Sequence, residues 1–594
     1  MRKSLKILTM MLCGCMLYAC GDAGAKTDVT EAPTTDAPVV LPEPKLTSFY
    51  DINPPHEEGS HTELYEYSYI EADFRSRNRV EKRSTYTTEA HYVRIKQLPD
   101  GTFIMLYNEK KNGEGVRMLR SEDGYTWSNY STVFQPTETK KYANPDAVVL
   151  ANGDIIVCAA WRITPDYLKN NSMGGIEIRR STDNGKTWSK IENVSTGLAW
   201  EPYLVQLRSG EVQLYWTNTT RYNLPNGNNT STGTALLRSY DNGVTWTGNP
   251  KVPYSGQVIA KQATEFYDNV QFYTDQMPVA VELQNGTFAL ALESRLDRNG
   301  TCCITLAYSD DNWSVSIPKD GVGPEDKNEN FTRGGGPYID QFPSGETLLK
   351  YNYSNVFHLS MGDPEARTFK TPIKLGLLKN FSSYEMLSNG HTVLASGSEP
   401  FSSAKDETDF YITTQKANLC HAVTAPKLDN ITVDGNGAEW EGVTESLFIG
   451  SESQAQVSVR FARCDAGLGV LVDRLDYDLC SDDEFTLKIA LPHNKISCIE
   501  IVAKADGTVK AEYVADGSRK DITVQCASTL LGTLDDGSDT DEGMLTEMLI
   551  PAEYLPEEIR VYAAISNKDT GKPAKADAID NLHSTDNSKW IPIK

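Results

Sequence analysis

Cysteine is scarce once the N-terminal segment is set aside. The chain has 594 residues and 11 cysteines, three of which lie within the first 20 positions, so eight are spread over the rest. So thin a distribution excludes a disulfide-stapled scaffold, and no Cys-x-x-Cys pair with zinc spacing is present. We therefore expect neither a bound metal nor a cofactor.

Basic residues are in deficit. Against 81 Asp and Glu the chain has 57 Lys and Arg, a net charge of −24. Such an acidic surface repels phosphate backbones, which excludes nucleic acid as a partner. A neutral saccharide is compatible with this charge, whereas an anionic ligand needs a local cluster of arginines.

The first residues have the pattern of an export signal. Three basic residues precede an apolar run over 7–16, which is too short to span a membrane as a stable helix. The run leads to Ala19-Cys20, which resembles a bacterial lipobox, so residues 1–20 are predicted to be a lipoprotein signal peptide with Cys20 lipidated. An ordinary signal peptide is the alternative. Residues 21–45, rich in Ala, Thr, Asp and Pro, are predicted to be a disordered tether to the bacterial envelope, at the outer membrane or cell surface.

One phrase recurs along the chain: an apolar strand, a short polar turn with glycine, then another apolar strand. Such turns are typical of β-hairpins because glycine readily adopts positive φ. Units of 45 to 76 residues with several short strands predict the blades of a propeller. The longest spacing leaves room for an insertion at about 222–272. The six turn glycines are Gly101, Gly153, Gly210, Gly286, Gly345 and Gly390.

A second motif, Ser-x-Asp-x-Gly-x-Thr-Trp, begins at Ser181 and again at Ser239, with degraded copies at Ser121 and Ser309. The aspartate can accept backbone N–H groups of its own turn, while the tryptophan packs between strands. A catalytic acid is needed once, so four copies indicate a structural role. The motif resembles the Asp box of sialidase-like propellers. The predicted fold is all-β: a six-bladed β-propeller with Asp boxes over 46–420, followed by an antiparallel β-sandwich.

Catalytic candidates are sought among the residues that do not repeat. Glu201 begins an apolar strand and Glu293 ends one, so both carboxyls are expected near strand ends and partly desolvated. Desolvation raises the pKa of a carboxyl and suits it to proton transfer. The candidate substrate-binding residues are Arg94, Asn144, Arg162, Asp275, Arg295, Tyr338 and Tyr353.

Two phrases carry a family resemblance. Trp200-Glu201-Pro202, and Met277-Pro278-Val279 leading to Glu293, resemble phrases of the exo-α-1,5-L-arabinanase family of six-bladed propeller glycoside hydrolases, over roughly 63–398. The resemblance implies an exo-acting hydrolase that removes terminal sugars by a retaining, two-carboxylate mechanism. We expect Glu201 as nucleophile and Glu293 as acid/base. The chain departs from that family in its insertion and in a C-terminal addition.

Two alternatives stay open. A sialidase would need three arginines and a tyrosine nucleophile, for which Arg94, Arg162, Arg295 or Arg333, and Tyr353 are available. The Arg-Ile-Pro phrase usual in sialidases reads Arg-Ile-Lys here, which favours the arabinanase-like interpretation. The other alternative is a surface glycan-binding protein without catalysis.

Residues 425–594 alternate in the manner of an antiparallel β-sandwich. The opening Ile431–Val443 resembles the family-nine carbohydrate-binding modules. Trp440 and Trp590 are candidates for stacking on a sugar, with packing the favoured interpretation for Trp440. The acidic run at 478–485 is read as a solvated turn, with a calcium site as the alternative. We expect a monomer that binds an oligo- or polysaccharide.

Overall fold

The structure is a computed structural model. The residues it describes are 68–80, 90–109, 114–168, 170–220, 222–223, 229–230, 233–252, 255–262, 275–295, 301–318, 321–378, 381–400, 410–420, 423–443, 445–450, 455–578 and 584–594. The predicted signal peptide, Cys20, the tether and much of the insertion lie outside these residues.

The described chain up to Cys420 consists of strands and short 3₁₀ turns. The turns are Asp166–Leu168 and Asn171–Met173. The strands are β1 (Tyr69–Arg79), β2 (Ala90–Gln97), β3 (Phe103–Glu109), β4 (Gly115–Ser121), β5 (Ser128–Phe134), β6 (Lys140–Val149), β7 (Ile155–Ile163), β8 (Gly174–Ser181), β9 (Glu192–Thr196), β10 (Ala199–Gln206), β11 (Val212–Asn218), β12 (Tyr222–Asn223), β13 (Asn229–Thr230), β14 (Gly233–Ser239), β15 (Gln257–Ala260), β16 (Gln276–Glu282), β17 (Phe288–Arg295), β18 (Cys302–Ser309), β19 (Lys327–Arg333), β20 (Gly335–Gln341), β21 (Thr347–Tyr353), β22 (Val356–Gly362), β23 (Ile373–Leu378), β24 (Ser383–Met386), β25 (Thr392–Pro400) and β26 (Phe410–Cys420).

These strands form six four-stranded antiparallel sheets, numbered here in chain order by their first strands. Sheet 1 is β2–β5, sheet 2 is β6–β9, sheet 3 is β10-β11-β14-β15, sheet 4 is β16–β19 and sheet 5 is β20–β23. Sheet 6 has the order β24-β25-β26-β1, so the N-terminal strand supplies its fourth member. The predicted insertion at about 222–272 is wrong in its bounds, because β14 and β15 lie within it and complete sheet 3, while the small hairpin β12–β13 forms a separate two-stranded sheet.

The first strands of the six sheets contact one another in a ring. β2 contacts β6, β6 contacts β10, β10 contacts β16, β16 contacts β20, β20 contacts β24, and β24 contacts β2. Each first strand is joined to the second strand of its sheet by one of the six predicted turn glycines, all of which have positive φ. The buried apolar residues lie between neighbouring sheets, as in the cluster shared by sheets 2 and 3.

The Asp boxes hold their own turns. Oδ1 of Asp183 accepts the backbone N–H of Thr187 at 2.8 Å, and Oγ of Ser181 accepts that of Gly185 at 2.8 Å. The same bonds recur in the other full copy, where Asp241 accepts from Thr245. These contacts agree with the structural role expected for the motif.

The C-terminal part is a second all-β unit. Its strands are β27 (Leu447–Gly450), β28 (Ala455–Cys464), β29 (Gly467–Asp476), β30 (Glu484–Ala490), β31 (Cys498–Lys504), β32 (Val509–Ala515), β33 (Ser518–Asp521), β34 (Gln525–Leu531), β35 (Gly543–Pro551), β36 (Ile559–Asn567), β37 (Lys575–Ala578) and β38 (Ile591–Ile593), with 3₁₀ turns at Ala438–Trp440, Ala552–Tyr554 and Asn587–Lys589. They form two antiparallel sheets, one ordered β27-β28-β29-β35-β34 and the other β33-β32-β31-β30-β36-β37, where β38 also pairs with β36. One apolar core draws on both sheets.

Both tryptophans proposed for sugar stacking are packed inside this unit. Trp440 has no exposed surface and donates from Nε1 to Glu547 at 2.9 Å, and Trp590 is buried against Tyr562. Their rings therefore present no face to a ligand. Within the described residues, no group of three or more His, Cys, Asp or Glu is arranged to hold a metal ion.

The fold class is all-β, as predicted. In the part of the chain that the structure describes, no helix is long and apolar enough to cross a membrane.

Candidate functional site

The ring of first strands carries a repeated backbone feature. Nine residues before each turn glycine stands a residue with φ between 45° and 65°. In sheets 1 to 5 it lies where the pairing of the first two strands shifts register, which marks a β-bulge. The six residues are Tyr92, Asn144, Glu201, Met277, Gly336 and Phe381.

These bulges locate the candidate site. Every first strand ends at a turn glycine, so all six left-handed residues lie toward the opposite end of the ring. Bulges re-aim the neighbouring side chains, and strained backbone concentrates at functional sites. Glu201 is one of the six, which places a predicted catalytic residue at this end of the ring.

Glu201 has a perturbed carboxyl. Burial raises its pKa to about 7; a hydrogen bond from Thr217 works against this rise, and the charge of Glu293 adds to it. Its Oε2 atom is buried and accepts no hydrogen bond from the described residues. The pKa of this carboxyl therefore lies near neutral pH, and one of its oxygens has no protein hydrogen bond among the described residues.

Glu293 lies opposite Gln276 in sheet 4 and is only 4% exposed. Its Oε1 accepts from the Gln276 amide at 2.6 Å, and its Oε2 accepts the backbone N–H of Gly336 at 2.9 Å. A Cβ at Gly335 would lie 2.2 Å from Oε2. The absence of a side chain at that position thus makes room for the carboxylate.

A buried ion pair lies beside these glutamates. Arg94 and Asp146 are 5% and 1% exposed, and Nε of Arg94 is 3.6 Å from Oδ1 of Asp146. Neither of these two atoms has a hydrogen-bond partner among the described residues. The charge of Arg94 lowers the pKa of Glu201, which shows that the pair lies near the catalytic candidate.

A buried lysine that the sequence analysis missed ties the last two sheets together at this end. Nζ of Lys350 donates to the carbonyl of Gly336 at 2.8 Å and to that of Ser382 at 2.7 Å. Burial holds the pKa of Lys350 well below its usual range, and the charge of Glu293 works against this shift. Lys350 therefore fixes the backbone that donates to Glu293.

Arg162 occupies the rim beside Glu201. Its guanidinium lies 4.0 Å from the ring centre of Trp200 and 5.4 Å from that of Tyr167. These three residues, with Trp161 and Leu198, surround a shallow depression of the surface. The charge of Arg162 also lowers the pKa of Glu201.

The other predicted binding residues are placed differently. Asp275 is buried and held by Lys327 at 2.5 Å and by the Ser294 hydroxyl at 2.6 Å. Tyr338 is buried in the core with its ring 5.1 Å from that of Tyr384. Asn144 is a bulge residue and is partly buried. Asp275 and Tyr338 are therefore committed to internal contacts.

The tyrosine and two of the arginines considered for the sialidase alternative can also be located. Tyr353 is 46% exposed at the end of β21, and its ring lies 6.4 Å from that of His358. No contact between described residues joins it to Glu201 or Glu293. The backbone of Arg295 ends β17, while its side chain lies outside the description; Arg333 is exposed at the end of β19.

The residues that the sequence analysis missed had a signal in the chain. Each of the six left-handed residues stands nine positions before a turn glycine, so this spacing is the marker in the sequence. In four of the six, proline follows: Pro145, Pro202, Pro278 and Pro337. Thr217, Gln276 and Lys350 have no such marker, because each acts through a contact across the sheet or between sheets.

Comparison with known proteins gives structural likenesses only. No family model matches the chain, and no curated protein matches it. A protein of unknown function from Dyadobacter fermentans is similar in structure at 14% identity, covering 59% of this chain and 99% of that chain, with a TM-score of 0.44. A sialidase mutant of Trypanosoma rangeli displaying trans-sialidase activity is similar at 9% identity, over 88% and 91% of the two chains, with a TM-score of 0.38. A family 9 carbohydrate-binding module from Caldicellulosiruptor kristjanssonii is similar at 14% identity, over 29% and 92%, with a TM-score of 0.24.

Proposed function

We propose that the protein is a glycoside hydrolase built on a six-bladed β-propeller, with Glu201 as its proton-transferring residue. The observation that carries the proposal is the Glu201 carboxyl, raised in pKa to about 7 with a buried, unpartnered oxygen at the bulged end of the ring. A general acid works best with a pKa near the operating pH. The closed series of contacts among the six first strands supports the propeller.

The two carboxyls take distinct roles in this proposal. Glu201 protonates the glycosidic oxygen in this scheme, because its carboxyl has the raised pKa and the residue is only partly buried. Glu293 has both oxygens engaged by N–H donors and little exposed surface, so it acts through its charge. That charge keeps Glu201 protonated and stabilises the positive charge that develops on the sugar ring in the transition state. This reverses the expected assignment, in which Glu201 was the nucleophile.

Exo-acting release of terminal sugars, as in the arabinanases, is the proposed reaction. The test is a release assay with the chain lacking its first 20 residues, offered arabinan, debranched arabino-oligosaccharides and sialyllactose. Freed arabinose or arabinobiose supports the proposal. Freed sialic acid replaces the substrate assignment with that of a sialidase.

Glu201→Gln is the decisive variant. It should lower turnover by roughly 10²–10⁴-fold, which is the usual contribution of general acid catalysis, while glycan binding is kept. Glu177→Gln is the matched control, since Glu177 is also buried but is bonded to Lys140 and Tyr142 in sheet 2. Unchanged turnover in Glu201→Gln would refute the proton-transfer role of Glu201, whereas glycan binding without turnover in the parent would leave a glycan-binding protein.

We further propose that Cys20 carries the lipid anchor and that the C-terminal unit, 425–594, is a carbohydrate-binding module. Cys20→Ala should move the protein from the membrane fraction to the soluble fraction. Unchanged membrane association would contradict the anchor.

A further inference from the structure

The guanidinium of Arg162 forms no ion pair with a carboxylate of the described residues. It lies at the end of β7, partly exposed, and its guanidinium stacks on Trp200 at 4.0 Å. No hydrogen bond or ion pair engages it among the residues the structure describes. The charge of Arg162 lowers the pKa of the nearby Glu201, but no ion pair or hydrogen bond joins the two side chains.

Two other stacked arginines of this chain show the contrast. Arg94 lies 3.9 Å from the ring centre of Tyr92 and is paired with Asp146. Arg367 lies 3.5 Å from the ring centre of Tyr308 and is held by both oxygens of Asp326, at 2.7 and 2.6 Å. The chain has 24 excess negative charges, so carboxylates are abundant, yet none forms an ion pair with Arg162 among the described residues.

The two tryptophans around Arg162 are fixed in place by hydrogen bonds. Nε1 of Trp200 donates to the Thr219 hydroxyl at 2.9 Å, and Nε1 of Trp161 donates to Asn193 at 2.9 Å. With their N–H groups satisfied, the indoles keep their orientation. Arg162 lies over Trp200, and Nζ of Lys140 lies 4.6 Å from the ring centre of Trp161, so the rings fix the position of the cations.

Stacking also leaves the guanidinium suited to an anion. A guanidinium lying flat on a ring keeps its edge N–H groups pointing outward, in the fork that matches a planar or tetrahedral oxyanion. A neutral hydroxyl offers a single acceptor atom, so it does not match the fork and leaves the charge unpaired. The geometry therefore favours a charged substituent over a hydroxyl.

We propose that the surface formed by Trp161, Arg162, Tyr167, Leu198 and Trp200 binds an anionic sugar residue next to the scissile bond, with Arg162 pairing to its carboxylate or sulfate ester. The inference deepens the proposed function and rests on it for the position of the scissile bond. It adds an anionic residue beside the bond that releases the terminal sugar. The aromatic rings hold Arg162 in place, and Arg162 selects the charge of the sugar.

Binding in the Glu201→Gln background tests this without turnover. Titration calorimetry compares three probes: a galacturonate oligosaccharide, its carboxyl-reduced galactose counterpart, and the same galactose oligosaccharide carrying sulfate esters. We expect at least one anionic probe to bind about tenfold or more tightly than the neutral one, and to lose affinity as salt is raised. Preference for the carboxylate or for the sulfate identifies the source of the charge.

Arg162→Met should abolish this preference while the neutral probe binds as before. Arg162→Lys should keep only part of it, since an ammonium cannot form the fork. Arg367→Met is the matched control, because it removes a stacked arginine that already has its carboxylate, and it should leave the preference unchanged.

Three results would overturn the inference: equal affinity for anionic and neutral probes, a preference that survives Arg162→Met, or no binding of any probe. Its failure is separable from that of the hydrolase. Full turnover in Glu201→Gln would refute the proton-transfer role while the calorimetric preference still reports on Arg162. Equal affinities with turnover lost would leave a hydrolase of neutral glycans.

Discussion

At the scale of single residues, burial raises the pKa of Glu201 and the hydroxyl of Thr217 limits that rise. The hydroxyl lowers the pKa of Glu201, and its oxygen also accepts the N–H of Met277 at 2.8 Å. Because the protonated form of Glu201 is the acid, activity should fall as the pH rises through about 7. Thr217→Val removes a bond that favours the ionised form, so this fall should move to higher pH. The check is a pH profile of kcat/KM.

Thr217→Ser is the control for that profile, since it keeps the hydroxyl and should keep the midpoint. A midpoint that stays in place in Thr217→Val would show that another group controls the alkaline limb.

Gly335 makes room for Glu293 in a way that a single methyl group should disrupt. A Cβ would lie 2.2 Å from Oε2, so Gly335→Ala must displace the carboxylate. Misplacement by about 1 Å can cost on the order of 10²-fold in rate, and we expect a loss of kcat/KM of that size in a folded protein. Gly442→Ala is the control, because a Cβ there meets nothing within 4 Å. Normal turnover in Gly335→Ala would remove Glu293 from the mechanism.

The candidate site was predictable only in part at this scale. Glu201 and Glu293 were found from the phrases that resemble those of the arabinanases and from their places at the start and end of apolar runs, and Arg94 and Arg162 because they do not repeat. Asp275 is likewise a carboxylate at a strand end, yet it is held in an ion pair by Lys327 on β19. Sequence reports that a carboxylate stands at a strand end, but the cation that neutralises it comes from a strand 52 residues away.

At the scale of elements, the hairpin turns were predictable from the sequence because each is a local feature. A glycine with positive φ between two apolar runs fixes a turn, and all six did so. The bulges were less readable, because a residue with φ near 55° has no required side chain: tyrosine, methionine and phenylalanine all occupy the position. Only the shared spacing of nine residues identifies them.

The Asp box should contribute stability without contributing to turnover. Ser239 is buried, accepts the N–H of Gly243 at 2.7 Å and donates to Asp241 at 2.8 Å. Ser239→Ala leaves a buried N–H unsatisfied, which costs about 1–3 kcal/mol. Denaturant unfolding should show that loss with kcat unchanged, whereas the exposed Ser388→Ala should change neither. A fall in kcat at unchanged stability would point to a functional role for the motif.

At the scale of the whole molecule, one strand contacts both all-β units. β1 completes sheet 6 by pairing Tyr69 with Cys420, and it also contacts the C-terminal unit. The backbone N–H of Phe74 donates to Oε1 of the buried Gln456 at 3.0 Å, and the Tyr69 hydroxyl donates to the Phe448 carbonyl at 3.2 Å. The sequence could not reveal this closure, because the partners are separated by more than 340 residues.

The same strand should make stability depend on pH. Burial of Glu71 raises its pKa from 4.5 to about 8; the N–H of Ala72 works against this rise, and the charge of Asp577 on β37 adds to it. In the unfolded chain Glu71 ionises near pH 4.5, whereas in the folded chain it stays protonated until about pH 8. The folded state therefore binds more protons between these values, and the free energy of unfolding falls as the pH rises through this window.

Glu71→Gln removes that penalty, because the amide is neutral in both states. The variant should match the parent near pH 4.5 and exceed it at pH 8, by on the order of 2–4 kcal/mol in the free energy of unfolding. Thermal and denaturant unfolding at both pH values measure the difference. Asp577→Asn should reproduce only a part of the gain, since it removes the smaller cause and leaves the burial of Glu71 in place. Parallel pH dependences in Glu71→Gln and the parent would mean that Glu71 ionises freely in the folded chain, and that β1 is not sealed against the C-terminal unit at this point.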